Sequence, residues 1–520
     1  MFLQIRLGKD VVLMSIRVYP VHVCDMHHNN YSVCIQGKSV TPDTARVSAF
    51  PYNRRWPGHQ RTLDQTEIVN FLSLAADKPV AIEITPPEPF ETVEIRPHSL
   101  GIVPEITPEG RIRFTLPHPA YCTVEPYGRH NALHIFADPL PDYNIVPDDP
   151  HVIYFGPGVH NAGQIELHSG DTLYLDEGAV VYASIRAMDA DNIRILGHGI
   201  LDNSLNREVI LYKADAENNT SAINNAKRQH TIQLEYCSNV EIDGITIRDS
   251  LVYNIRPIGC RNMTIRNVKI IGCWRHNSDG IDMHNCENVL IEHCFLRTFD
   301  DAVCVKGFDC YYTGDVEAAV KAAMYRNGQA YDVFRHVVVR DCVIWNDWGK
   351  SLEIGAETRA EEICDIIFED CDILHVCSTP LDCCNVDYAD VHDITFRNIR
   401  IELDEVIPPP KYQYYDREPY GEITPGYVPQ VIRADVQFHH EYSAGGTRRG
   451  KNRNLLFENI CISGDVIPEF AFTGYSEEAG STDIIIRNVY VNSKLLTDPA
   501  EYALHIGNHC RNILYEYSEN

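Results

Sequence analysis

The sequence predicts an all-β chain: a right-handed parallel β-helix over residues 142–520, preceded by a β-sandwich domain over residues 1–141. Three observations carry this reading. Up to about residue 141, short alternating apolar runs are separated by Pro and Gly turns. Beyond Pro141 a unit with apolar residues at its first, third, sixth and eighth places recurs at the spacing of one β-helical turn. Helical periodicity, by contrast, shows only at Asp64 to Ala75 and at Asp315 to Tyr325.

In the N-terminal part, Val11-Val12-Leu13, Ala81-Ile82-Glu83-Ile84 and Leu133-His134-Ile135-Phe136 read as strands of an antiparallel sandwich. Asp64 is placed to cap a helix carrying Ile68, Phe71 and Leu72. The aromatic and basic stretch Tyr52 to Arg61 reads as an anchored loop in preference to a sugar-binding one.

The repeat is clearest at Asn239-Val240-Glu241-Ile242, Asn262-Met263-Thr264-Ile265, Asn288-Val289-Leu290-Ile291 and His336-Val337-Val338-Val339, and continues from Asp365, Asp393, Asn454 and Asp483. Leading residues 239, 262 and 288 lie 23 and 26 apart, and residues 336, 365 and 393 lie 29 and 28 apart. Two short strands with one bend between them turn the apolar places inward. Cys294, Cys342 and Cys371 fall at the sixth place, where other coils carry Ile245, Val268 or Ile399, so these thiols read as core fillers. Cys237, Cys260, Cys286 and Cys510 form a second such column. The first coils are expected between Val152 and Asp202. Wider gaps at 204–227, 307–335 and 404–453 mark excursions; the last, rich in Pro and Tyr, reads as a lid or as a subunit contact of a homo-oligomer.

Bulk properties narrow the function. The 520-residue chain is longer than one ordinary core requires. With 45 basic against 73 acidic residues its formal net charge is −28, which opposes nucleic acid, anionic membrane or polyanionic partners. The basic run Thr447 to Lys451 reads as a solvated loop. The start Met1 to Arg6, with Lys9 and Asp10 close behind, does not read as a secretory signal, and no stretch reaches membrane-spanning length. Eighteen cysteines, many of them at a repeated apolar position and without zinc spacing, point to a reducing, cytoplasmic compartment and to no metal or cofactor.

A third strand precedes each repeated unit. Aligning its inward residues leaves an outward column of Gln233, Arg256, Asp282, Cys304, Glu353 and Asp382, with Tyr253, Asp279, Asp301 and Lys350 stacked beside it and Asp300 displaced by one residue. Adjacent rungs stand about 4.8 Å apart. Acidic residues do terminate β-helix strands through local hydrogen bonds. So many carboxylates converging on one face favours catalysis, because like charges at such distances raise one another's pKa.

Asn277-Ser278-Asp279-Gly280 and Asp300-Asp301, set on this repeat, resemble the Asn-Thr-Asp-Gly and Asp-Asp motifs of glycoside hydrolase family 28, the polygalacturonases. They are also similar to the Asp triad of the family 49 dextranases, which likewise join a β-sandwich to a β-helix. The resemblance implies an inverting hydrolase with Asp300 as general acid and with Asp279 and Asp301 holding the attacking water. Lys306 matches a lysine that follows the Asp pair in many bacterial members. Two departures stand out. Lys350 of Gly349-Lys350-Ser351 replaces the family's histidine, with Glu353 nearby, and Pro380-Leu381-Asp382-Cys383-Cys384 replaces the Arg-Ile-Lys motif that grips a uronate.

The expected substrate is therefore a neutral oligosaccharide cut by exo action, with Arg256, Asn277, Asp282, Lys306, Trp348, Lys350, Glu353 and Asp382 as its binding residues. Crowding is expected to keep Asp300 protonated. Inversion calls for a carboxyl separation of about 6.5 to 9.5 Å, which Asp300 across from Asp279 is expected to supply. Trp348 reads equally as a stacking platform or as a coil filler, and His276 and His284 as hydrogen-bonding residues. The alternatives are a polysaccharide lyase, in which the acidic column would bind calcium, and a non-catalytic carbohydrate-binding protein.

Overall fold

The structure, a computed structural model, describes residues 16–20, 31–49, 66–205, 230–275, 277–308, 321–403, 428–439, 442–443, 448–464, 469–501 and 503–518. The Tyr52 to Arg61 loop, Val11-Val12-Leu13, His276, most of the 204–227 and 404–453 excursions and most of the Asp315 to Tyr325 helix lie outside them. Of that helix, residues 321–324 are helical and lead into a hairpin of Tyr325–Arg326 and Gln329–Ala330.

Two sheets form the N-terminal part. One orders Ile16–Val18, Thr66–Ala76, Leu133–Asp138, Tyr121–Arg129 and Glu94–Arg96, with Asp43–Ser48 also on Thr66–Ala76; the other orders Lys38–Val40, Ser32–Ile35, Val80–Thr85, Ile112–Leu116 and Glu105–Ile106. Their facing side chains, among them Val33, Ile84, Leu116, Leu74, Val124 and Ile135, share one core. Pairing is antiparallel except between Thr66–Ala76 and Leu133–Asp138, which run parallel. The expected helix at Asp64 to Ala75 is not formed; Thr66–Ala76 is the central strand of this sheet. Both of its faces are covered: Leu72, Leu74 and Ala76 enter the two-sheet core while Val69 and Phe71 face the β-helix. Apolar residues on both faces of a buried strand imitate helical spacing, and burial overrides local propensity.

From Val152 onward the chain is a right-handed parallel β-helix in which each strand pairs with its equivalents one coil before and after. Three faces result. One stacks Ile232–Glu235, Ile255–Ile258, Ile281–His284, Val303–Lys306, Leu352–Ile354, Leu381–Asn385 and Gln430–Val436. The second carries the repeated units from Ser238–Asp243 to Cys510–Glu516. The third runs from Ile200–Asp202 through Phe295–Thr298 and Val343–Asn346 to Arg400–Leu403.

The residue that leads each unit is the bend. Asn239, Asn262, Asn288, His336, Asp365, Asp393, Asn454 and Asp483 all have φ between 54° and 59°. Asn and Asp tolerate this left-handed region, which explains their recurrence. Their side chains also bond from coil to coil, Asn262 Nδ2 donating to Asn239 Oδ1 at 3.2 Å and Asn288 Nδ2 to Asn262 Oδ1 at 3.1 Å. Inside, Phe368, Phe396 and Phe457 stack with ring centroids 4.8 and 5.0 Å apart. Cys294, Cys342 and Cys371 are fully buried in the same core.

The N-terminal part lies along the third face. Val69, Phe71, Tyr121 and Phe136 pack against Ile271, Phe295, Trp345 and Leu374. Buried ion pairs cross the same interface: Lys269 Nζ to Asp138 Oδ2 at 2.7 Å, His375 Nε2 to Glu125 at 3.0 Å, and Arg129 to Asp347.

Candidate active site

Four successive turns of the cavity-bearing face bring the predicted residues together. Backbone N–H groups of Asn254, Gly280 and Ala302 donate to the carbonyls of Asp279, Asp301 and Lys350 at 2.9, 2.8 and 2.8 Å, so these residues stand above one another. Asn277, at φ 59°, turns the chain into the strand. The Ser278 N–H and hydroxyl both donate to the Arg275 carbonyl, closing that turn. A side chain at Gly349 would place Cβ 2.3 Å from the Asp301 nitrogen and 2.6 Å from Asp301 Oδ1. The loop can therefore approach the Asp pair only with glycine at that position. Thr298 Oγ1 donates to the Asp300 carbonyl at 2.8 Å, Asn346 Nδ2 donates to the same oxygen, and the Asp301 N–H donates to Asp300 Oδ1 at 3.0 Å.

A cavity of about 240 Å³ is lined by Tyr253, Asn277, Asp279, Asp300, Asp301, Lys306, Trp348, Gly349, Lys350, Ala356, Glu357, Ser378 and Tyr442. Trp348 borders the cavity and packs on Phe299, with ring centroids 5.5 Å apart. Four expected binding residues do not line it. Arg256 is held by His284 and His230, Nε to Nε2 at 3.4 Å and Nη1 to Nε2 at 3.1 Å. Asp282 is buried against Lys306 Nζ at 2.7 Å. Glu353 is buried with Cys304 and Lys350, and Asp382 is paired through both oxygens with Arg433. Outward strand positions are thus roofed by long side chains such as Lys306, Lys350 and Arg433, and the cavity is lined by Lys306 at a strand end and by groups on the bends around the strands. His284, buried, donates from Nδ1 to the Gly307 carbonyl at 3.0 Å.

Arg433 also corrects the reading of the Asp382 position as a purely acidic replacement for a cationic clamp. Its register partner is Asp382 itself, one coil on. Glu357, Ser378 and Tyr442 were missed because they sit on bends and excursions, where no period marks them.

An oxygen from each of Asp279, Asp300 and Asp301 falls within 4.8 Å of the others. Asp279 Oδ1 and Asp300 Oδ2 are buried without hydrogen-bond partners among the described residues. Burial, and then the charge of Asp301, pushes the Asp300 carboxyl well above the ordinary range. Burial pushes Asp279 up likewise, followed by repulsion from Asp300 and Asp282. At Asp301 burial also raises the pKa, but the Lys350 and Lys306 ammoniums and the Lys350 backbone N–H outweigh it and bring it to about 2. Lys306 lies 3.6, 2.7, 3.7 and 3.8 Å from Asp279, Asp282, Asp301 and Glu357, and stays charged despite burial. The Asp triad, and Asp301 with Cys304 and Glu353, are close enough to share a cation, though Lys306 and Lys350 already supply positive charge there.

Comparison with known proteins finds related chains. A family model described as "Glycosyl hydrolases family 28" matches residues 158–316, a stretch that contains Asn277, Asp279, Asp300, Asp301 and Lys306. The chain is 36% identical over 86 residues to a probable polygalacturonase of Vitis vinifera, covering 16% of this chain and 18% of that protein. It is 28% identical over 194 residues to a polygalacturonase of Brassica napus, covering 33% and 48%. The matches thus span less than half the length of these curated relatives. The solved structure of Dex49A from Penicillium minioluteum superposes with a TM-score of 0.61 over 96% of both chains at 16% identity, so the fold is shared along almost the whole chain.

Proposed function

We propose that this chain is a glycoside hydrolase in which Asp300 is the general acid and Asp301, assisted by Asp279, holds and deprotonates the attacking water. The observation that carries the reading is the split between adjacent residues: Asp300 is held well above, and Asp301 at about 2, while both face one cavity. Hydrolysis needs one protonated and one ionised carboxyl at the same bond. The Asp300 proton passes to the glycosidic oxygen as the C–O bond breaks. A water then adds to the oxocarbenium-like carbon and gives its proton to Asp301. Two hydrogen bonds of about 2.8 Å let a single water bridge oxygens as close as those of Asp279 and Asp301.

A neutral substrate is favoured because, among the described residues, the lining cations are already engaged, Lys306 by Asp282 and Lys350 by Glu353 and Asp301, leaving a uronate no unshared ammonium there. Exo action is favoured by size. A cavity of about 240 Å³ lies below the roughly 300–1,000 Å³ of drug-sized ligand sites and suits a terminal sugar unit. The approach of the Asp300 and Asp301 oxygens to within 4.8 Å favours a second reading, a retaining double displacement with Asp301 as nucleophile, since retaining pairs are the closer-set ones, about 5 to 5.5 Å apart. A screen of neutral disaccharides and aryl glycosides, with the first-formed product anomer followed by NMR, tests both. Release of the inverted anomer supports single displacement, the retained anomer supports the covalent route, and no release from any saccharide removes the hydrolase.

A further inference from the structure

Glu353 does not border the cavity, yet it stands directly behind it. It lies between Cys304 on the coil before and Asp382 on the coil after. The Cys304 thiol donates to Glu353 Oε2 at 3.0 Å. Lys350 Nζ, 3.7 Å from Asp301 Oδ1, is 3.3 Å from Glu353 Oε1. An oxygen of Asp301, the Cys304 sulfur and an oxygen of Glu353 lie within 4.8 Å of one another, all buried.

Two buried carboxyls this close do not both ionise, and their surroundings decide which keeps the proton. Asp301 faces Lys306 and Lys350 and accepts the Lys350 N–H at 2.9 Å. Glu353 has Lys350 as its close cation, with Lys306 farther off, and the Cys304 thiol as a neutral donor, against its burial and the charges of Asp301 and Asp382; the charge of Asp382 is taken up by Arg433.

We propose, resting on the hydrolase reading above, that Glu353 is a positioning residue: a buried carboxylic acid whose proton is donated toward Asp301 and which, with Lys350, keeps Asp301 an ionised acceptor facing the cavity. Burial, and then the charge of Asp301, holds Glu353 well above the ordinary range, while a hydrogen bond from Glu353 is among the groups that lower Asp301. The departure from the family's histidine motif is then a matched set, Lys350 and Glu353, that acts on Asp301 and not on the sugar.

The test compares Glu353→Gln, which keeps a neutral donor, with Glu353→Leu, which removes it. In kcat/KM against pH on the best substrate from the screen, Glu353→Gln keeps the wild-type acid limb, and Glu353→Leu moves it upward by about one pH unit or more. A lowered Tm with an unmoved limb in Glu353→Leu, or an equal shift in both variants, overturns the proposal. An infrared difference spectrum of wild type against Glu353→Gln at pH 7 needs no turnover. The C=O band of a protonated carboxylic acid must be present in the wild type and lost in the variant. Its absence refutes the proposal even if Glu353→Leu fails to fold. A wild-type protein that releases no sugar but shows the band refutes the hydrolase and keeps the Glu353–Asp301 pair.

Discussion

Lys350 meets Asp301 twice: its backbone N–H donates to Oδ1 at 2.9 Å, and its ammonium stands 3.7 Å from the same oxygen. A single residue thus fixes both the orientation and the charge of the carboxylate, through a loop one coil away. That arrangement separates Asp301 from Asp300, its sequence neighbour, and the consequences can be measured.

Replacing Asp300 by Asn removes the transferable proton while leaving an oxygen to accept the Asp301 N–H. Turnover is expected to fall about 100- to 10,000-fold, the contribution of a general acid. Circular dichroism and the melting transition should be those of a folded protein. Undiminished turnover of the substrate would remove Asp300 from the mechanism.

Stability should move with pH in a direction fixed by the raised carboxyls. A group whose folded pKa is raised contributes stability below its unfolded pKa, near 3.9, and that contribution is lost as pH rises toward the folded value. Asp300 and Asp279 are of this kind. Asp300→Asn and Asp279→Asn should therefore melt higher than wild type at neutral and alkaline pH, with the advantage shrinking toward pH 4. Asp301 is of the opposite kind; its contribution is present above about 3.9 and lost as pH falls through about 2. Melting temperatures from pH 3 to pH 9 decide; a gap that widens on acidification contradicts the assignment.

Gly349→Ala should damage the site without touching an ionisable group. Its Cβ would meet backbone and side-chain atoms of Asp301 at 2.3 and 2.6 Å, so the loop or the carboxylate must shift. A displacement of about 1 Å can cost on the order of 100-fold in rate. The same preparation should lose stability by roughly 1–3 kcal/mol, as overpacked sites do. Wild-type kinetics in this variant would show that the close approach is not required.

Arg129→Ala breaks a buried pair between the N-terminal sheets and Asp347, the residue just before Trp348. Removing one partner of such a pair typically costs about 3–5 kcal/mol. The lower end is expected, because Arg297 Nε lies 3.9 Å from the other Asp347 oxygen. Denaturant unfolding measures the loss. Activity should fall with it, since the Asn346 to Lys350 loop also holds the Asp300 carbonyl.

The stacking of the cavity-bearing face was legible because a β-helix repeats its alternation in sequence. Ile281, Val303, Leu352 and Leu381 align as inward residues, and Asp282, Cys304, Glu353 and Asp382 follow as an outward column in the same register. What the alternation could not show is how deep an outward residue lies. Asp282 and Glu353 point away from the core and are still buried, because Lys306 and Lys350 fold over them. Arg433 escaped notice because its strand, Gln430–Val436, belongs to the β-helix but lies inside the 404–453 stretch that the sequence reads as an excursion. The strand Thr66–Ala76 was misread because its two apolar faces serve two different cores.

The apolar cluster joining Phe71 and Phe136 to Phe295, Trp345 and Leu374 gives the change of periodicity near residue 141 a practical meaning. It marks where one folding pattern stops and another starts, but it is not a place to cut. A solenoid expressed from residue 142 onward would bare a greasy flank along several rungs, take Asp138 from Lys269 and leave Asp347 with only the more distant Arg297. The shared cluster and the buried charges that cross it tie the sheets to the rungs that carry the proposed sugar chemistry.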